Sequence, residues 1–239
     1  LENPPEYVTL VGDVNGSYDM PTFTNTYNHD SYGNYCEGDL PYSQLDNSQI
    51  DPYDFIPNVI VGRMSVQNDS QLSTVAVKTI AYEKTKYGTL DLIELVGTEW
   101  YERALLVGDP GSSGQSTIHT NQYIDNILDT FGFSDIETAY NSNFASIMEN
   151  QLEQGVLYLN YRGYLGVSGF GQSNINGANN GYKNPFATML TCGTGSFAEE
   201  TDCMSELIFR GGSQGTLTNP KGAVAAVGTA TWNTHTTFN

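Results

Sequence analysis

Basic residues are scarce. Nine Lys and Arg stand against twenty-seven Asp and Glu, a formal net charge of -18 at pH 7. Phosphate backbones and anionic membrane surfaces are gripped through Lys and Arg, so neither nucleic acid nor such a surface is expected as a partner. Cysteine is scarce and odd in number, with three in 239 residues, so at least one thiol has no partner within the chain. No apolar run approaches the ~18 residues that cross a bilayer, which leaves no transmembrane segment to expect. Neither an initiator Met nor a signal-peptide pattern stands at Leu1. The chain reads as a processed or excised segment, with further domains of the same precursor as candidate partners.

What remains suits a soluble globular protein: hydrophobic residues make up 38%, enough for one sizeable core. An acidic surface rich in Asn, Thr, Ser, Gly and Tyr suggests an extracellular or cell-surface location, with calcium a candidate structural ion. Short apolar runs alternate with longer helical patterns. "YVTLVGD", "IPNVIVGRMSV", "RALLVGDP", "GVLYLNYRG", "NPFATMLTCG" and "KGAVAAVGTA" read as strands, the second starting after Pro57 and ending at Gly62. A helix is predicted across 68–88, with Leu72, Val75, Ala76, Thr79, Ile80 and Glu83 as its stripe, Asn68 or Asp69 as N-cap and Gly88 as stop. A second helix is capped by Ser116 and ended by Gly132, and "MSELIFRG" forms a short third.

Strands separated by helices at this spacing imply an α/β fold, a mainly parallel sheet with helices on both faces. The acidic stretch from Leu90 to Glu102 divides it into an N-terminal half, 1–101, holding a long polar loop at 14–55, and a C-terminal half, 102–239. Such sheets bind ligands beyond the carboxyl ends of their strands. Gly12-Asp13, Gly163-Tyr164 and Cys192-Gly193 all fall at such ends.

Cys192 is the candidate nucleophile. It requires a base, an orienting group for that base and donors for an oxyanion. Gly193 is expected to free backbone N–H groups for the last role. Three histidines are available: His29 in the polar loop, His119 in a helix, and His235 just after a strand. Chain order favours His235, because its strand is the next one predicted after that of Cys192. The alternative reading of His235 is a cleft residue without base duty. Cys203 reads as a buried helix-start thiol or as half of a bridge to Cys36.

"EYVTLVGD", "DLPYSQLD", "IPNVIVGRMSV", "LNYRG" and "CGTGSFAEETDCMSELIFR" together resemble the gingipain-type cysteine peptidases, a family of caspase-like fold. The resemblance runs in order from about Glu6 to the C-terminus. It implies a three-layer caspase-like sandwich and a secreted cysteine endopeptidase acting on peptides or proteins, with no cofactor for catalysis and calcium bound for stability. On it, Cys192 is the nucleophile, Asp39 lies at the base of a pocket for a basic P1 side chain, and Asp19 falls near the acid that orients the histidine. Asp39 also reads as a calcium-ligating or loop-capping carboxylate.

One departure stands out. The family's catalytic histidine sits between two glycines on the strand before the nucleophile strand, and here "NYRGYLG" puts Tyr164 in its place. A phenol of pKa ~10 donates to an oxyanion but does not readily take a thiol's proton. Either His235 supplies the base from the neighbouring strand end, or the domain keeps the scaffold for binding or surface display. A metal-dependent hydrolase built on the Asp-rich loop finds no spaced ligand set.

Overall fold

The computed structural model describes residues 5–24, 36–45, 56–212 and 220–231. Strand β1 (Tyr7–Val11) pairs in parallel with β2 (Ile60–Met64), Tyr7 opposite Ile60 and Val11 opposite Met64. β2 runs through Gly62, the expected stop, because nothing crowds that position and its partner Thr9 continues the ladder. Helix α1 (Asp69–Lys84) starts where expected: the Asn68 side chain accepts from the Gln71 N–H. It ends at Thr85, whose left-handed φ of 51° stops it before Gly88. Its buried face is Thr74, Val75, Val77, Lys78 and Ala81, which shares only Val75 with the predicted stripe. The rotation places Val77 and Ala81 against Leu92 and Tyr182. A hairpin of β3 (Lys86–Tyr87) and β4 (Leu90–Asp91) leads into α2 (Leu92–Val96), so the acidic stretch folds instead of merely linking.

The remaining elements follow as β5 (Arg103–Gly108), α3 (Ser116–Thr130), β6 (Asp135–Ala139), α4 (Phe144–Gln154), β7 (Tyr158–Arg162), α5 (Gln172–Gly177), β8 (Phe186–Cys192), α6 (Met204–Phe209) and β9 (Ala225–Thr229). The five strands form a parallel sheet in the order β6-β5-β7-β8-β9. Alternation sorts the two faces. Leu105, Val107, Leu159, Tyr161, Ala187 and Met189 point into one apolar core with Met148 and Leu152 of α4, Ile175 of α5 and Ile208 of α6. The opposite face carries Asn160, which donates to the Asn121 side chain of α3 at 2.6 Å. The result is a three-layer α/β fold with helices on both faces of the sheet.

The boundary between 101 and 102 precedes β5, and separate sheets lie on either side of it. Buried polar contacts cross it. Lys78 of α1 donates to the carbonyls of Phe209, Gly211 and Lys221.

Candidate active site

The carboxyl ends of β7 and β8 meet at Cys192. After β7 the chain turns at Gly163, and Leu165 bridges Cys192 in parallel. Gly166 N–H donates to the Cys192 carbonyl at 3.0 Å, and Thr191 Oγ1 donates to the Gly166 carbonyl at 2.6 Å. The turn carrying Tyr164 is thus laid against the nucleophile candidate. Cys192 is 5% exposed, whereas Tyr164 is 60% exposed. Gly163 serves packing here: a Cβ would stand 2.7 Å from the Tyr161 hydroxyl, while Ser113 Oγ donates to the Gly163 carbonyl at 2.7 Å.

Beyond Cys192 the backbone is consumed internally. Gly193, at a left-handed φ of 75°, donates its N–H to the Thr231 carbonyl at 2.8 Å. Gly195 N–H goes to the Thr229 carbonyl at 3.0 Å, and Ser196 Oγ to that of Ala230 at 2.9 Å. The expectation that Gly193 offers its own N–H to an oxyanion is therefore corrected, because parallel contact with the end of β9 already takes that donor.

A carboxylate stands at this edge of the sheet, and it is Asp109, just after β5. Its N–H donates to the Arg162 carbonyl at 2.8 Å. Its side chain accepts from Gly111 N–H at 2.9 Å and from Ser168 Oγ. Ser168 in turn accepts from the Tyr161 hydroxyl at 3.0 Å. This hydroxyl chain pins the loop after Tyr164 to β5, and burial pushes the Tyr161 phenol up, keeping it a donor. "RALLVGDP" was legible as a strand ending in Asp, but nothing in it marked this acid over the others.

Asp19 follows β1. It is exposed and pairs through its backbone with Asp13 at the end of β1. Asp39 is not an open anion for a basic side chain. Arg63 grips it with Nε to one oxygen and Nη2 to the other, both at 2.7 Å, and Thr22 adds a 3.0 Å bond. The remaining Arg63 donors reach the carbonyls of Gly12, Met20 and Pro21. His29 and His235 lie outside the described residues, and His119 is exposed on α3. No disulfide forms, and the bridge from Cys203 to Cys36 is replaced by a buried thiol that starts α6 beside Ser205 Oγ. Burial pushes the Cys203 thiol up to about 12.

A second buried polar cluster was missed by the sequence reading. Arg210 pairs with Glu206 and Asp202 at 2.7 Å and with Asp13 at 3.0 Å, while Ser65 and Gln67 tie in from the end of β2. Its one local signal is the Glu206–Arg210 spacing of four on α6. Burial raises the Glu206 carboxyl to about 7 against the opposing pull of Arg210. Calcium does not fit this cluster, since a guanidinium already occupies the centre of its carboxylates. Among the described residues no group of three or more His, Cys, Asp or Glu side chains is placed to hold a metal ion. Near the cluster, a cavity of about 500 Å³ lined by Arg63, Glu206, Phe186, Phe209 and Val227 separates β2 from β9.

The family model described as peptidase family C25 matches residues 1–239. Gingipain R2 of Porphyromonas gingivalis is 25% identical over 238 residues, covering 94% of this chain and 28% of its own length. Gingipain R1 of the same organism is 25% identical, with 94% of this chain and 21% of its own length covered. Among solved structures, the Arg-specific cysteine proteinase gingipain R superposes with a TM-score of 0.72 at 25% identity, over 92% of this chain and 47% of that one. The chain thus spans about a quarter of these curated relatives and about half of the solved chain.

Proposed function

The chain belongs to peptidase family C25, and on that premise we propose that it is a cysteine endopeptidase domain working outside the cell or at its surface. Its substrates are peptides or proteins. The observation that carries this reading is the seating of the Tyr164–Gly166 turn directly against Cys192, at the strand ends where an α/β sheet binds ligands. Cys192 attacks the scissile carbonyl as a thiolate, and the Tyr164 hydroxyl donates to the oxyanion that forms. His235 takes the thiol proton and returns it to the leaving amine. Support for that assignment comes from Thr231, four residues before His235, whose carbonyl accepts from the Gly193 N–H next to Cys192. Asp109, through Ser168, steadies the loop that presents Tyr164. The net charge of -18 accords with this reading.

A second reading, a scaffold that binds without cutting, is favoured by Tyr164 in the imidazole's place and by the internal use of the Gly193 N–H. Alkylation with iodoacetamide across about pH 5–9, with the modified cysteine mapped, separates the two. A working site reacts at Cys192 well below the ~8.5 of a free thiol, loses that reactivity in His235→Ala, and digests a peptide library unless Cys192 is changed to Ala. Reaction at Cys192 only above about pH 8, with no digestion, leaves the scaffold.

A further inference from the structure

Four arginines occur in the chain, and three of them meet a carboxylate at 2.7 Å: Arg63 with Asp39, Arg103 with Asp135, and Arg210 with Glu206. The fourth, Arg162, closes β7 and is 5% exposed. Among the described residues its guanidinium meets no carboxylate and no carbonyl at hydrogen-bonding distance. Burial pushes its pKa down, with the Tyr158 phenol opposing, yet a guanidinium stays charged at any physiological pH. A buried charge held without a partner is costly, and the cost is recovered when an anion arrives.

The neighbourhood of Arg162 is built for the same purpose. Leu159 and Tyr161 point into the apolar core, so Asn160 and Arg162 share the face covered by α3. One turn before Asn121, Thr117 packs on Gly108, where a Cβ would stand 3.0 Å from the Thr117 carbonyl. Gly108 is the register partner of Arg162. Ser113, in the loop entering α3, bonds the carbonyl of Gly163, the residue after Arg162. The first turn of α3 therefore stands over Gly108, beside the strand position of Arg162. This 15-residue helix begins at Gln115 with no side-chain cap and no acidic residue in its first turn. Its uncapped first turn and dipole favour negative charge at the strand end that Arg162 closes. Cys192 is one strand away, joined through Leu165.

We propose that Arg162 and the first turn of α3 receive the carboxylate side chain of an Asp or Glu in the peptide lying across Cys192, next to the bond under attack. This rests on the peptidase reading for the presence of a peptide, but not for the sign of its charge. The preference is opposite to the Arg specificity named for the gingipain R structure. Long-range repulsion from the net charge of -18 does not prevent it, because salt screens exposed charges beyond ~8 Å while a desolvated pair keeps its strength.

The test uses the full chain as Cys192→Ala, so that peptides bind without turnover. Fluorescent peptides with amidated C-termini differ only at one central residue: Glu, Gln, phosphoserine or Arg. The Glu peptide is expected to bind roughly tenfold or more tightly than the Gln peptide. Arg162→Gln should erase that difference while leaving Gln-peptide binding, and Arg162→Lys should keep part of it. Gln or Arg peptides binding as well as Glu overturn the proposal, as does failure of every peptide to bind. So does a Glu preference that persists in folded Arg162→Gln, and a phosphoserine peptide preferred over Glu reassigns the niche to phosphate. Glu-selective binding with no cleavage by the native chain removes the peptidase reading and leaves this site. Cleavage with no acidic preference does the reverse.

Discussion

Gly193 donates its backbone N–H to the carbonyl of Thr231 at 2.8 Å, which ties the turn after Cys192 to the outgoing end of β9. The same contact is reinforced where Gly195 and Gly228 cross. A Cβ on Gly228 would stand 2.6 Å from the Thr194 backbone, and one on Gly195 would stand 2.6 Å from the Gly228 carbonyl carbon. Two side-chain-free residues let two backbones touch, and that approach brings Thr231, just past β9, to the turn after Cys192.

Gly228→Ala should therefore push the turn after Cys192 off β9. A loss of about 1–3 kcal/mol in urea unfolding is expected, typical of overpacking. The rate of Cys192 alkylation should change with it. Unchanged stability and unchanged labelling would show that the two backbones do not need this closeness.

Arg63 organises three loop carbonyls and Asp39 together, so its truncation strands a half-buried carboxylate. Arg63→Met should cost about 3–5 kcal/mol, whereas Asp39→Asn should cost less because the neutral amide still accepts from the guanidinium. Cleavage assays with Arg- and Lys-containing peptides should show no loss of selectivity in Asp39→Asn. A selective loss for those peptides would restore Asp39 as a substrate acid.

Lys78 carries a pH signature. Burial pushes its ammonium down to about 7, against ~10.4 in the unfolded chain. Between those values the unfolded chain binds more protons, so stability should rise with pH above 7. Thermal unfolding from about pH 7 to 8.5, below the ~8.5 at which unfolded thiols titrate, should show a rise that is absent in Lys78→Met. That variant also leaves three carbonyls short of a donor, so it should be less stable at every pH in the range. An identical slope in the two proteins would refute the assignment.

Cys203 is the internal control for any thiol chemistry. With its thiol pushed up to about 12 by burial and by Glu206, it should stay unlabelled by iodoacetamide across about pH 5–9 in the folded protein and react once urea exposes it. Labelling of Cys203 ahead of Cys192 in native protein would mean that α6 opens readily.

Some of this was written plainly in the chain. β5, β7 and β8 were legible because β-branched and apolar residues run together where both sheet faces are covered. β6 was not read, since its exposed edge position lets Asp135 and Glu137 stand in a strand without penalty. α4 also escaped, although Ile147, Met148 and Leu152 pack its inner side. The Ser116 cap was misplaced: Ser116 is already inside the helix and bonds back to the Ser113 carbonyl, so the first turn of α3 has no side chain of its own over it.

The sequence by itself determined the family, the alternation of strands and helices, and the position of Cys192 at a strand end. These depend on residue order and on the periodicity of burial, both local properties. Only the tertiary structure decided which charges are spent and which are available. Asp39 is answered by Arg63, Glu206 by Arg210, and the Gly193 N–H by Thr231, while Arg162 meets no carboxylate among the described residues. Pairing of that kind depends on distances between residues far apart in the chain, and Coulomb and hydrogen-bond energies fall away within a few ångströms. No local pattern carries them.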